Sequence, residues 1–177
     1  MRPPPQPSAV GGSAGALPWA LTVAAGAIAV YQGALAYSFS QDDFAGLARA
    51  AGIMAPLQSP WRWLSQQAFF DLWHGLFGLN PLPYHAASLA VHATCSLLLW
   101  AFLRRWVSPS AAAVGAAIFA THPAAYTAVY WIAAIGDSLA LVFGLATLLL
   151  SRRRDAWRWL AVPALALSFM AKESTLL

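Results

Sequence analysis

Long apolar runs separated by short polar stretches dominate the sequence. The first run, roughly Leu17–Phe39, contains no charged residue and is followed directly by Asp42 and Asp43. About 20 apolar residues span the hydrocarbon core of a bilayer, so this run predicts a membrane-spanning helix with the two acids at its outer mouth. The later runs predict four more spans, at about 84–103, 111–132, 136–150 and 157–173. His122-Pro123 interrupts the third of these, and the segment after it is either continued helix or a short stretch at the interface.

The loop between the first two spans is unusually aromatic. From Trp61 to Phe77, Trp and Phe alternate with Arg, Gln, Asp and His. Tryptophan favours the membrane–water interface, so this stretch predicts an amphipathic helix lying in the interface; a simple membrane anchor is the alternative. Asn80-Pro81-Leu82-Pro83 ends that helix. The predicted fold is an all-α polytopic membrane protein with about five transmembrane helices and this interfacial helix in its first outer loop.

Composition and charge agree with a membrane protein. Of the 177 residues, 60% are hydrophobic and 9% are charged, whereas soluble domains carry about 25% charged residues. Most cations lie in two clusters, Arg104–Arg105 and Arg152–Arg154 with Arg158, and each cluster follows an apolar run. The positive-inside rule puts both clusters and the N-terminus in the cytoplasm; Arg49 and Arg62, in the first loop, are the exceptions. We therefore expect a multi-pass protein of the inner (plasma) membrane, without nucleic-acid binding, and a disordered cytoplasmic tail over residues 1–16.

Most of the remaining charged residues fall toward the outer face. The predicted turns there can gather Asp42, Asp43, His85, His122, Asp137, Lys172 and Glu173 around one cavity. Neighbouring carboxylates raise each other's pKa by repulsion, so one of the paired acids suits a general base. The alternative is a solvated helix N-cap. Lys172 lies on the side where cations are disfavoured, and it either binds a phosphate or forms an ion pair with Glu173, Asp137 or one of the paired acids.

Histidine and cysteine spacing indicates no metal centre. His85, Ser88 and His92 share one face of the second span, but the two histidines are about 10 Å apart along the helix, which disfavours joint metal ligation. For His92 a hydrogen bond to a backbone carbonyl is favoured. Cys95 is the only cysteine and is typical of a small packing residue. The pattern predicts no cofactor and leaves a divalent-metal requirement open.

Several short motifs together resemble a known family. They are Phe39-Ser40-Gln41-Asp42-Asp43-Phe44, Leu76-Phe77-Gly78-Leu79-Asn80-Pro81 with Tyr84-His85 and His92, Thr121-His122-Pro123, Val129 with Trp131-Ile132 and Asp137, and Ala171-Lys172-Glu173-Ser174. In this order and spacing the chain resembles the membrane glycosyltransferases of the C-type fold, near the protein O-mannosyltransferases and the transmembrane proteins that carry tetratricopeptide repeats.

The resemblance implies a reaction and a set of roles. A sugar would pass from a polyprenyl-phosphate donor to a hydroxyl of a protein or glycan acceptor on the outer face. Asp42 or Asp43 would act as base on that hydroxyl. The substrate-binding residues, around the lipid phosphate and the sugar, would be Arg62, His85, His122, Asp137, Lys172 and Glu173.

Four positions depart from the family pattern. Arg62 is followed by Trp63 where an Arg-Pro is frequent, and Ser88 stands where Asn is common. Thr127 and Ile135 replace a Glu and an Arg, which is either a paired loss that preserves charge or the mark of an inactive site. The chain also ends inside what the family treats as its core, so we expect a fragment. The alternative function is a degenerate, non-catalytic membrane relative that binds a lipid carrier or a partner protein.

The predicted orientation has a direct test. A cysteine placed at Gln41 or Ser174 is expected to react with a membrane-impermeant thiol reagent in intact cells, because both positions lie outside in this topology. A cysteine at Ser151, beside the arginine cluster, is expected to react only after permeabilisation. Labelling of the Ser151 variant in intact cells would reverse the orientation.

Overall fold

The computed structural model describes residues 16–173. Apart from Ala16, the predicted tail lies outside the described residues, as does Ser174 of the last motif. All regular structure in the described range is helical. The α-helices are α1 (Ala16–Tyr31), α2 (Asp43–Ala50), α3 (Phe69–Phe77), α4 (Pro81–Leu103), α5 (Pro109–Thr121), α6 (Tyr126–Tyr130), α7 (Ile135–Ser151) and α8 (Ala161–Ala171). Four 3-10 turns extend or join them, at Gln32–Ala36, Pro123–Ala125, Ile132–Ala134 and Ala156–Leu160, and a π-helical turn at Leu64–Ala68 leads into α3.

Three helical segments are long and apolar enough to cross a membrane, namely Leu17–Ala36, Pro81–Leu103 and Ile132–Ser151. A fourth joins if α5 and the following segment Pro123–Tyr130, bent by 49° at His122, count as one span. The chain is therefore an all-helical protein with three to four candidate membrane spans. The predicted fifth span is a shorter apolar helix, Ala156–Ala171. With five 3-10 and eleven α-helical residues it is roughly 26 Å long, against about 30 Å of hydrocarbon, so a count of five stays a prediction.

The second span begins earlier than predicted, at Pro81 rather than Tyr84. Asn80 is the N-cap, and its side chain accepts a hydrogen bond from the Leu82 N–H at 3.2 Å. Proline is well suited to the first turn, where an N–H has no intrahelical partner. The Asn-Pro-Leu-Pro motif thus starts α4 as well as separating it from α3.

The first and third spans also end differently from the prediction. Helical structure after α1 stops at Ala36 rather than Phe39, because Tyr37 is extended and carries the chain toward α2. The predicted third span, 111–132, begins at Pro109 and breaks at His122-Pro123. The stretch beyond the break is two short helical pieces and not one continued helix.

Small side chains form the contact between α1, α4 and α5. Most of the buried residues there are alanines; the set is Val23, Ala27, Ala93, Trp100, Ala112, Ala113, Ala116 and Ala120. Apolar burial does not drive helices together inside lipid, so small residues that allow close van der Waals contact are favoured at such contacts.

The aromatic stretch of the first loop forms helix over Leu64–Phe77, and one side of it packs on the protein. Phe69 and Phe70 are buried against Leu47 of α2 and Tyr84 of α4, while Leu72, Leu76 and Phe77 are exposed. Trp73 Nε1 donates to the Pro83 carbonyl at 3.0 Å. The position of the Leu64–Phe77 helix relative to a bilayer stays a prediction.

Helices α4 and α7 run in the same direction. Cys95 Sγ donates to the Ser138 carbonyl at 3.1 Å, and eleven residues further along α7, Arg105 Nη2 donates to the Leu149 carbonyl at 3.4 Å. The bundle therefore has an arginine end, where both helices finish, and an acid end, where both begin. About 35 Å separates them, from the length of α4 at 1.5 Å per residue.

Gly136 allows α7 to approach α8 and the π-helical turn. A Cβ at this position would lie 2.9 Å from the Ala171 carbonyl oxygen and 2.9 Å from Ser65 Oγ. Gly136→Ala is expected to lower the free energy of unfolding by about 1–3 kcal/mol, the usual range for overpacking, measured by thermal unfolding in detergent. The matched control is Gly75→Ala in α3, where a Cβ meets nothing within 4 Å; it is expected to be neutral or to stabilise by up to about 1 kcal/mol. Equal effects of the two variants would contradict this packing.

Candidate functional site

The two neighbouring acids have opposite surroundings. Asp43 is fully buried. Its Oδ1 accepts a hydrogen bond from the Ala133 N–H at 2.6 Å, and its Oδ2 accepts one from the Ser40 N–H at 2.9 Å. Asp42 is the exposed N-cap of α2, and its side chain makes no capping bond. Asp43 therefore joins two backbone segments, while Asp42 faces the outside of the protein.

The electrostatics of Asp43 reflect its position. Burial raises the pKa of the Asp43 carboxyl above its usual range, and the negative charge of Asp42 adds to the rise. The hydrogen bonds from Ser40 and Ala133, and the nearby His85, act in the opposite direction. Since both oxygens are engaged with backbone N–H groups, the carboxylate serves as a fixed acceptor.

The Ala133 peptide connects Asp43 to the first outer loop. Its N–H donates to Asp43, and its carbonyl accepts a hydrogen bond from Gln66 Nε2 at 2.8 Å. Gln66 Oε1 in turn accepts from Arg49 Nη2 at 3.4 Å. This chain of hydrogen bonds ties α2, the π-helical turn and the segment before α7 into one unit.

Four predicted substrate-binding residues form two ion pairs beside that unit. Two nitrogens of the Arg62 guanidinium donate to the Glu173 carboxylate, and the Nε–Oε2 distance is 2.8 Å. Lys172 Nζ lies 2.5 Å from Asp137 Oδ1. These ion pairs flank a small cavity of about 40 Å³, whose wall includes Ser65 and Gln66 as well as Arg62, Asp137 and Lys172. Of the ion-pair partners considered for Lys172, the structure shows Asp137.

Ser65 holds this cluster together. It is buried, and its Oγ donates to the Ala171 carbonyl at 2.7 Å, which fixes the end of α8 directly before Lys172. Because Gly136 packs against the same hydroxyl, α7, α8 and the first loop meet here.

Backbone strain lies in the same region. In the described part of the chain the non-glycine residues with positive φ are Gln41, at 47°, and Arg62, at 59°. Such conformations are uncommon for residues other than glycine and concentrate at functional sites. One directly precedes Asp42, and the other carries the guanidinium that binds Glu173.

His122 lies across a larger cavity from these ion pairs. It is exposed, its Nδ1 accepts from the Ala124 N–H at 3.1 Å, and its carbonyl accepts from the Tyr31 hydroxyl at 2.5 Å. Together with His92 and Asp137 it lines a mainly apolar cavity of about 450 Å³ between α5 and α7. Asp137 borders both cavities and so connects His122 with the ion-pair cluster.

His85 occupies the interior beneath Asp43. It is fully buried, and neither ring nitrogen has a hydrogen-bond partner among the described residues, although the backbone of Ser38 and Val129 lies near the ring. Ser88 Oγ, one turn further along α4, and Trp131 Nε1 also have no partner there. Buried polar groups are normally paired, by protein or by water, and for His85 the backbone of Ser38 and Val129 is beside the ring.

His92 and Cys95 lie further along α4. His92 Nε2 lies 3.0 Å from the Ala120 carbonyl, as favoured above. Cys95 is a buried packing residue. No group of three or more His, Cys, Asp or Glu side chains within residues 16–173 is placed to hold a metal ion.

The predicted site residues thus fall into three groups at the acid end. Asp43 and His85 lie in the interior, Arg62, Asp137, Lys172 and Glu173 form ion pairs, and Asp42 and His122 are exposed. Sequence reasoning missed Ser65, Gln66 and the Ala133 peptide. The only available signal was the polar run Ser65-Gln66-Gln67 within an aromatic stretch.

Comparisons with protein-family models, curated proteins and solved structures find no match for this chain. The established class is therefore that of an all-helical protein with three to four candidate membrane spans.

The Arg62–Glu173 pair gives a pH-dependent signal. The hydrogen bond from Arg62 lowers the pKa of Glu173 to about 2. A lowered acid pKa means that the pair's stabilisation is present above the ordinary Glu value of 4.5 and is lost as the pH falls toward 2. Both side chains are about half exposed, so solvent screening limits the pair to below about 1 kcal/mol. Carbon-detected NMR is expected to give a Glu173 titration midpoint below the ordinary value of 4.5 in the parent protein, and a midpoint closer to 4.5 in Arg62→Gln. The control Arg49→Gln is expected to leave it in place; an unchanged midpoint in Arg62→Gln would contradict the pairing.

Proposed function

We propose that this chain is a membrane glycosyltransferase, or part of one, that transfers a sugar from a polyprenyl-phosphate donor to an acceptor hydroxyl. In this proposal the acid end faces the outside of the inner (plasma) membrane and the N-terminus is cytoplasmic. The Ala156–Ala171 segment completes a five-span core, and the Leu64–Phe77 helix lies at the outer interface. The acceptor is a hydroxyl of a protein or glycan.

The proposal rests on the different surroundings of the two paired acids. A general base must reach the proton that it removes. Asp42 is exposed next to a strained residue, Gln41, whereas both oxygens of Asp43 are held by backbone N–H groups. Asp42 is therefore the base in our proposal, and Asp43 is a positioning residue that fixes the start of α2. The family resemblance implies that either Asp42 or Asp43 is the base, and our proposal assigns the proton transfer to Asp42.

The donor side of the proposal uses the ion-pair cluster. The cations of Arg62 and Lys172 would stabilise the negative charge on the departing lipid phosphate, and guanidinium groups bind phosphate with two parallel hydrogen bonds. Asp137 and Glu173 hold these cations in place before the donor binds, so the phosphate displaces two carboxylates when it arrives. His122 borders the space for the sugar in this proposal, while His85 is buried and lines neither of the two cavities described above.

The same cluster favours a second candidate function, a non-catalytic relative that binds a lipid carrier or a partner protein. Both cations are already neutralised. In addition, the family resemblance expects an arginine at position 135, where this chain has a fully buried isoleucine. The cation expected at this position is therefore missing.

Two single variants separate catalysis from structure. Asp42→Asn is expected to lower transfer from a radiolabelled polyprenyl-phosphate hexose by about 100-fold or more, the lower scale of general-base catalysis, with unchanged thermal stability. Asp43→Asn places an NH₂ group against a backbone N–H, so it is expected to lower the free energy of unfolding by about 1–3 kcal/mol.

Two results would contradict the proposed function. Full transfer activity in Asp42→Asn would remove its role as base. Absence of transfer in the parent protein, with retained binding of the polyprenyl phosphate, would favour the non-catalytic relative.

A further inference from the structure

The arginine end of the bundle carries a cavity that the proposed function does not use. It has a volume of about 530 Å³ and lies where α4 and α7 finish. Its wall consists of Ala101, Arg104, Arg105, Leu149, Leu150 and Arg153. Three cations on an apolar floor therefore meet in one concave surface, about 35 Å from the acid end.

Ordinary structural roles account for only part of this charge. Helix C-termini carry partial negative charge, and Arg105 Nη2 caps the Leu149 carbonyl at 3.4 Å. Arg104 lies over the Trp100 ring at 4.9 Å, and Arg153 pairs with Asp155 at 2.6 Å. Three cations against one acid leave an excess of two positive charges. A guanidinium has five N–H donors, so each of these exposed arginines retains donors for a ligand.

Exposed tryptophans indicate where this cavity lies relative to a membrane. Trp106, Trp157 and Trp159 are 60–65% exposed around this end of the bundle. Arg152 lies over the Trp106 ring at 4.9 Å, and Arg158 lies over the Trp159 ring at 4.8 Å. Exposed tryptophans of membrane proteins lie at the level of the lipid headgroups. In a membrane, this end of the bundle and its three cavity arginines are therefore expected at the depth of the lipid phosphates.

We propose that this cavity binds the headgroup phosphate of an anionic phospholipid from the leaflet at the arginine end. Arg104, Arg105 and Arg153 hold the phosphate oxygens, and the acyl chains begin on Ala101, Leu149 and Leu150. Basic pockets between membrane helices are a known form of lipid-headgroup site. The site is separate from the proposed transfer reaction and does not depend on it.

Two triple variants test the site with equal loss of charge. The lining variant is Arg104→Gln/Arg105→Gln/Arg153→Gln. The control variant is Arg152→Gln/Arg154→Gln/Arg158→Gln, which removes three exposed cations from the same end and leaves the cavity wall intact. Binding of phosphatidylglycerol and of phosphatidylcholine to each purified protein is measured by native mass spectrometry from detergent.

The parent protein is expected to prefer phosphatidylglycerol. We assign about 1 kcal/mol, a factor of about five in affinity, to each arginine that contacts the phosphate, so the lining variant is expected to lose on the order of 100-fold. The arginines of the control variant lie outside the cavity wall and make no such contact. The control variant is expected to lose less than about fivefold. If the lining variant does not fold, the single variants Arg104→Gln and Arg154→Gln carry the same comparison.

Three outcomes would overturn the proposal. Equal losses in both triple variants would mean that net charge alone attracts the lipid. An unchanged preference in the lining variant would mean that the cavity is not the site. Competition by free inorganic phosphate at the same concentration as the lipid would mean that the cavity binds a soluble anion.

Discussion

The acid end depends on the buried carboxylate of Asp43 and the two backbone N–H groups that it accepts from. One bond reaches Ser40, in the turn that follows the first span, and the other reaches Ala133, directly before α7. An ionised group is expensive to bury unless it is fully hydrogen-bonded, so this carboxylate holds two distant segments of the chain at one fixed separation. The same end of the bundle holds a buried apolar cluster that includes Phe70, Tyr84 and Ile132.

The position of the other site residues follows from that contact. The Ala133 carbonyl accepts a hydrogen bond from Gln66, and Gln66 lies one turn from Arg62. Gly136, three residues beyond Ala133, lets α7 lie against the end of α8, so Asp137 and Lys172 meet. Asp42 is exposed directly beside the anchored Asp43. A single buried acid therefore organises both the exposed acid and the ion-pair cluster.

The two ends of the bundle differ in the way they carry charge. At the acid end each cation of the cluster has an acidic partner. Hydrogen bonds from Ser65 to the Ala171 carbonyl and from Gln66 to the Ala133 carbonyl lie beside the pairs. At the arginine end six arginines surround one acid, Asp155, and the side chains are exposed. Between the ends, alanine-rich contacts pack the helices closely and carry no charge. Charged groups therefore lie at the two ends of the bundle, and the helices between them meet through dispersion contacts.

The sequence by itself determined the helical class, the approximate positions of the apolar helices, the break at His122-Pro123 and the grouping of arginines, since length, apolar runs and proline act locally. It also limited Lys172 to a short set of partners. Tertiary structure alone decided that Asp137 is the partner, that Asp43 is buried while Asp42 is exposed, and that Ser65, Gln66 and the Ala133 peptide belong to the site. Adjacent acids look alike in a sequence because burial depends on which distant backbone N–H groups arrive, here from a residue 90 positions away. The start of α4 at Pro81 was missed for a smaller reason, since a proline pair after Asn suits both the end of one helix and the cap of the next.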